Sequence, residues 1–124
     1  MLRTVIVDDD RAMRIVGRLL AEEEGCRVVG EAETGEQAVR LAMRLNPDVI
    51  LMDYRMTGMD GVETTRAVLA ARPMVVVIAW TSSDEPAIAR AFVAAGARAH
   101  ALKGDFDALR AAFRDAQEAF ATEA

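Results

Sequence analysis

The sequence predicts an α/β protein, a doubly wound parallel sheet built from five consecutive β-α units. Three observations predict it. Short apolar runs alternate with helical patterns along the chain. The runs are continuously apolar, as in strands buried on both faces, rather than alternating as in half-solvated ones. The connections are short and carry helix-stop residues at regular places. Parallel strands joined by right-handed helical crossovers then give three layers, helix on sheet on helix.

The first unit opens with Val5-Ile6-Val7 and continues into a helix with Met13, Val16 and Leu20 on one face, closed by Gly25. The second pairs Val28-Val29 with a helix carrying Ala38, Leu41, Ala42 and Leu45, ended by Asn46-Pro47. The third strand is Val49 to Met52, and Pro73 follows its helix. The fourth runs from Met74 to Ala79; Ser83 or Asp84 is the expected cap of the next helix, with Pro86 in its first turn and Gly96 at its end. Trp80 alternates with Thr81 and is expected in the core. The fifth strand, Ala99 to Leu102, is weaker. Phe106, Leu109, Phe113, Ala116 and Phe120 follow it at steps of 3, 4, 3 and 4, the clearest amphipathic helix in the chain. The outer side of that helix carries Arg110, Arg114, Asp115 and Glu118, a charged face that suits either solvent or a partner. No linker, repeat or low-complexity tract interrupts the pattern, so residues 1–124 are expected to form one domain.

Composition narrows the function. An apolar fraction of 52% is too high for a disordered chain. Twenty acids against fifteen bases, a net charge of −5, oppose direct contact with a nucleic-acid backbone. One histidine and one cysteine are a poor ligand set for zinc. Cys26 has no partner within the chain, which suits a reducing compartment and leads us to expect a cytoplasmic protein. The longest clean apolar run, Met74 to Trp80, is far short of the ~20 residues a membrane helix needs. The first strand runs directly into aspartates, unlike a secretory signal. Fourteen of the fifteen bases are arginine, and Lys103 is the lone lysine.

In a doubly wound sheet the ligand crevice lies at the carboxyl ends of the strands. There this chain places Asp8-Asp9-Asp10, Asp53, Thr81-Ser82-Ser83 and Lys103. Converging carboxylates repel unless a cation intervenes, and oxygen-only ligands without imidazole or thiolate suit Mg²⁺. Such a metal beside a lysine and a hydroxyl describes a phosphoryl site, in which a carboxylate can be the nucleophile. No glycine-rich phosphate loop is present, so nothing points to a nucleotide.

These residues resemble the receiver domain of two-component response regulators, over residues 3 to about 120. Asp53-Tyr54-Arg55-Met56-Thr57-Gly58-Met59-Asp60-Gly61 is similar to that family's D-x-x-M-P-x-M-D-G segment around its phosphorylated aspartate. The first-strand acids, Thr81 and Lys103 fall where the family has its acidic pair, hydroxyl and lysine, with the expected 22-residue step from Thr81 to Lys103. The resemblance implies a flavodoxin-like sheet of order 2-1-3-4-5 with helices on both faces. It implies that Asp53 takes a phosphoryl group from the phosphohistidine of a sensor histidine kinase or phosphotransfer protein. Asp8 and Asp9 would hold Mg²⁺ (or Mn²⁺) with Asp53 and the Arg55 carbonyl, leaving Asp10 as the extra acid, although the sequence alone does not exclude a register using Asp9 and Asp10. Lys103 would pair with phosphoryl oxygens, and Thr81 would move inward on phosphorylation, freeing a place for the switch residue at His100. The domain would catalyse only its own phosphorylation and dephosphorylation. Its output, through a homodimer or an effector contact, would use the fourth helix, fifth strand and fifth helix, in keeping with transcription regulation.

Three departures from the family pattern are visible. Thr57 stands where proline is usual, Gly104 follows the lysine where proline is common, and His100 replaces an aromatic Tyr or Phe. Arg55 and Ser83, two residues beyond Asp53 and Thr81, are expected to tune the lifetime of the phosphoryl group, Arg55 by screening it. Rival functions are less well supported. A haloacid-dehalogenase-type phosphatase would use Asp8-Asp9-Asp10 as a DxD nucleophile, but Arg11-Ala12 replaces its usual small Thr/Val, and the chain lacks room for a cap. An FMN binder would need phosphate donors where three aspartates stand. A receiver fold serving only as a docking module would not need the full set of site residues.

Overall fold

The structure, a computed structural model, describes residues 1–123. Ten elements follow the predicted order: β1 (Arg3–Val7), α1 (Arg11–Glu23), β2 (Arg27–Ala32), α2 (Gly35–Leu45), β3 (Val49–Met52), α3 (Gly61–Ala71), β4 (Val76–Thr81), α4 (Pro86–Ala95), β5 (Ala99–Leu102) and α5 (Phe106–Glu123). All strand pairs are parallel, in the order β2-β1-β3-β4-β5. This is the flavodoxin-like doubly wound sheet.

The continuous apolar runs have the two-sided burial they imply. Along β1, β3 and β4 successive side chains enter opposite layers. Val5, Val7, Ile50, Met52, Val77 and Ala79 pack with Ala38 and Ala42 of α2, Val62 and Val68 of α3, and Ile88 and Phe92 of α4. Ile6, Val49, Leu51, Ile78 and Trp80 pack with Leu20 and Ala21 of α1 and Leu109, Phe113 and Ala116 of α5. Trp80 is thus a core residue, 1% exposed.

Helix ends follow local chemistry. Asp10 caps α1 by accepting from Ala12 N–H, Thr34 caps α2 by accepting from Gln37 N–H, and Asp60 with Glu63 closes a reciprocal capping box on α3. Asn46 ends α2 in the left-handed region. Three expectations need correction. Neither Ser83 nor Asp84 caps α4: Pro86, with no N–H to satisfy, takes the first helical position, so Glu85 becomes the cap residue, and Ser83 Oγ instead accepts from Glu85 N–H at 3.3 Å. The fourth strand begins at Val76, because a turn from Arg72 O to Val75 N–H holds Met74 outside the sheet, 73% exposed. Phe106 leaves the apolar stripe of α5 and is 43% exposed, since the helix begins beyond Leu102, where β5 has ended.

The charged side of α5 is largely engaged within the molecule. Arg110 pairs with Glu23 and Asp107, Arg114 with Glu24, and Asp115 with Arg98. Two of these links clasp α1. Among the described residues no helix is long and apolar enough to cross a membrane.

Candidate functional site

The backbone ladder runs one residue past the strand ends and delivers the site. Asp8 N–H donates to Ala32 O at 3.0 Å, Asp53 N–H to Val7 O at 3.0 Å, and Lys103 N–H to Thr81 O at 2.9 Å. Asp8 and Asp53 therefore leave adjacent strands, β1 and β3, at the point where the strand order reverses. Lys103 reaches them from β5, across the end of β4.

The three side chains meet. Lys103 Nζ lies 2.7 Å from Asp8 Oδ2 and 3.1 Å from Asp53 Oδ1; both acids are buried and the lysine is partly so. Asp8 Oδ1 accepts from Asp10 N–H at 2.9 Å, while Oδ2 faces the Lys103 ammonium. One ammonium thus faces two buried carboxylates, and the imbalance shows in the acidity of Asp53. Burial, and then the charge on Asp8, push the Asp53 carboxyl up to about 6, against the pull of Lys103. Burial alone would lower Lys103, but hydrogen bonding and charge from Asp8 and Asp53 hold it above its ordinary value.

One oxygen from each of Asp8, Asp9 and Asp53 lies within 4.8 Å of the others, with Asp9 on the solvent side. Asp10 is not in this group; its carboxylate caps α1. An all-carboxylate set of this size fits a hard divalent cation, which would also relieve the surplus negative charge.

The remaining predicted residues sit around this centre. Thr81 is 2% exposed, and its hydroxyl oxygen accepts from Ser83 N–H at 3.1 Å. Arg55 lies over the Tyr54 ring, 5.6 Å from its centroid, at the rim of the β3–α3 loop. His100 pairs in register with Ala79, so it shares a sheet face with Thr81, two residues further along β4. Its ring stands 6.2 Å from Phe92, which in turn meets Tyr54 edge-on at 6.0 Å. Among the described residues His100 Nε2 is buried without a hydrogen-bond partner, and burial pushes the imidazole below its ordinary value.

Sequence reasoning missed two residues at the site. Gly61 packs directly under Asp53, and Arg14 reaches from α1 to the Asp8 carbonyl. For Arg14 a signal existed, an arginine set among Met13, Val16, Gly17 and Leu20 on the inner side of a helix.

Comparison with known proteins covers most of the chain. The model of the response regulator receiver domain family matches residues 4–114. The response regulator GacA of Pseudomonas viridiflava is 39% identical over 105 residues, covering 84% of this chain and 49% of that protein. The transcriptional regulatory protein LiaR of Bacillus subtilis is 36% identical over 118 residues, 90% of this chain and 56% of LiaR. The chain thus spans about half the length of these curated relatives. Among solved structures, the signal receiver domain of the response regulator NarL from Mycobacterium tuberculosis superposes with a TM-score of 0.85 at 35% identity, covering 94% of this chain and 96% of that one.

Proposed function

Because the chain belongs to the response regulator receiver domain family, we propose that it is a phosphoacceptor whose nucleophile is Asp53. The observation that carries this is the contact of one ammonium with two buried carboxylates, Lys103 with Asp8 and Asp53, at 2.7 and 3.1 Å. An Asp53 oxygen attacks the phosphorus of a kinase phosphohistidine; the P–N bond breaks, and the imidazole leaves with the electron pair and is protonated. Asp8, Asp9, Asp53 and the Arg55 carbonyl would hold Mg²⁺ or Mn²⁺, which would neutralise charge on the transferring group. Lys103 neutralises phosphoryl oxygens, and its position between the two acids fixes it there before the phosphoryl group arrives.

The new phosphoryl group draws the Thr81 hydroxyl from Ser83 N–H, and the vacated face of β4 accommodates a shift of His100. Output then passes through α4, β5 and α5 to a second copy or an effector, as a population shift rather than a turnover reaction. Arg55 screens the acyl phosphate, so Arg55→Ala is expected to lose its phosphoryl group faster than wild type. A role in transcription regulation accords with relatives such as the transcriptional regulatory protein LiaR, and a cytoplasmic location belongs to the same proposal.

The test is direct labelling. With a small-molecule phosphodonor and Mg²⁺, wild type should form an acid-stable, base-labile adduct that is missing in Asp53→Asn. A wild type that takes no label would overturn the proposal, and phosphodonor turnover that needs Asp8 but not Asp53 would transfer it to a phosphatase.

A further inference from the structure

Arg14 is a buried cation that the proposed phosphoryl chemistry does not use. Although it belongs to a helix, it is only 9% exposed. Its Nη1 donates to the carbonyl of Asp8 at 2.8 Å, its Nε to Glu31 Oε1 at 3.2 Å, and its Nη2 lies 3.5 Å from Glu33 Oε1. The guanidinium fork therefore joins three segments: α1, the end of β1 and the end of β2.

Both sides of this bridge are built. On the acid side, the pairing of β1 with β2 slips between Thr4 and Val5, where Val29 is the extra residue, so that Glu31 stands opposite Ile6 rather than Val7. Ile6 faces α1, so Glu31 does too. Without the slip Glu31 would fall on the face covered by α2. Arg18, one turn along α1, holds the other oxygen of Glu31 at 2.6 Å and so leaves Oε1 for Arg14. On the loop side, every polar group of Asp8 is engaged. Its N–H donates to Ala32 O, Oδ1 accepts from Asp10 N–H, Oδ2 meets Lys103, and its carbonyl accepts from Arg14. That carbonyl belongs to the peptide plane joining Asp8 to Asp9. Fixing the plane fixes the direction in which the solvent-side Asp9 carboxylate leaves the chain.

We propose that Arg14 is a positioning residue for the divalent cation, holding the Asp8–Asp9 peptide so that the Asp9 carboxylate stays with those of Asp8 and Asp53. The inference rests on the metal reading given above. A lysine cannot replace this function in full, because a single ammonium cannot span Asp8 O and two carboxylates in one plane.

The experiment is a calorimetric titration of the metal-free protein with Mg²⁺, well below the unfolding temperature, alongside thermal unfolding of the same samples. Arg14→Ala should bind Mg²⁺ about tenfold or more weakly, as partners that orient metal ligands typically do. Arg14→Lys should recover part of the affinity. Glu31→Gln, which keeps the guanidinium but removes its main counter-charge, should weaken binding severalfold and remain folded; it decides the matter together with Arg14→Lys where Arg14→Ala does not fold. Unchanged Mg²⁺ affinity in the folded variants, with only a lower unfolding temperature, would overturn the positioning role and leave Arg14 a structural strut. A wild type that binds no Mg²⁺ would instead overturn the metal reading itself.

Discussion

Gly61 lies so close to Asp53 that a Cβ built on it would fall 1.8 Å from the Asp53 carbonyl oxygen. The Gly61 N–H also donates to Tyr54 O at 2.7 Å, so the first turn of α3 is pinned beneath the loop that carries the proposed nucleophile. The nearest obstacle, the Asp53 carbonyl, is main chain and cannot rotate away, and the Phe92 ring would stand 2.9 Å from the same Cβ. Gly61→Ala should therefore displace the β3–α3 loop, costing about 1–3 kcal/mol of stability as over-packing usually does. Labelling of Asp53 should fall by more than the loss of folded protein accounts for. Urea unfolding together with the labelling rate measures both, and a rate equal to wild type would show that the loop adapts without moving Asp53.

Lys103→Arg preserves charge and tests shape. The lysine reaches Asp8 and Asp53 as a single point between them, with its side chain 14% exposed. A guanidinium is broader and planar, so it does not place its charge at the single point between the two acids that the ammonium occupies. Phosphoryl acceptance should slow by between about 10- and 100-fold, the penalty expected when a reacting group is misplaced by about an ångström. Label incorporation over time reads this, and wild-type kinetics in Lys103→Arg would mean that charge alone suffices.

The two cases differ in what the sequence could reveal. Lys103, Asp8 and Asp53 were legible because each ends an apolar strand run, and parallel strands in a doubly wound sheet bring such ends to one crevice. The strands themselves were legible because burial on both faces writes a continuous apolar run. Gly61 belonged to a recognisable motif, but its close approach to Asp53 depends on how α3 enters the sheet. Arg14 depends on a one-residue slip in the β1–β2 register, which no local pattern announces. Phe106 was misread for a related reason: helical spacing says which residues share a face, not how far the sheet beneath them extends. That Asp10 caps α1 while oxygens of Asp8, Asp9 and Asp53 gather within 4.8 Å was likewise not legible in a run of three aspartates.

Asp53 should make the metal-free protein less stable as it ionises. Its carboxyl is raised to about 6, chiefly by burial and by Asp8, so the folded state holds its proton more tightly than the unfolded chain. Between pH ~4, the unfolded value, and pH ~6 the native state binds more protons, and stability from this group falls as pH rises. Above that it is constant and unfavourable. Asp53→Asn removes the term, so its stability advantage over wild type should grow from near zero at about pH 4 to on the order of 2 kcal/mol at pH 7.5. Added Mg²⁺ should narrow that gap by stabilising wild type more than the variant. Urea unfolding at several pH values, with and without Mg²⁺, is the measurement; an advantage that shrinks as pH rises would contradict the raised carboxyl.

His100 should act in the opposite sense. Burial holds its imidazole below the ordinary value, and Nε2 is buried without a partner, so the folded protein favours the neutral ring. As pH falls below about 6.5 the unfolded chain takes up a proton that the native state resists, and stability from this group is lost. His100→Phe keeps a ring beside Phe92, which lies 6.2 Å away, and has neither the unpaired nitrogen nor the titration. It should be at least as stable as wild type at pH 7.5, with an advantage that widens toward pH 5. Because the phenyl ring is also closer to the aromatic side chain usual at this position, signal output should be retained. The deciding measurement is the proton titration of the single histidine by NMR, followed by unfolding of the two proteins at both pH values. A titration midpoint at or above 6.5 in the folded protein would mean that the ring is solvated or has found an acceptor, and the predicted widening would then be absent.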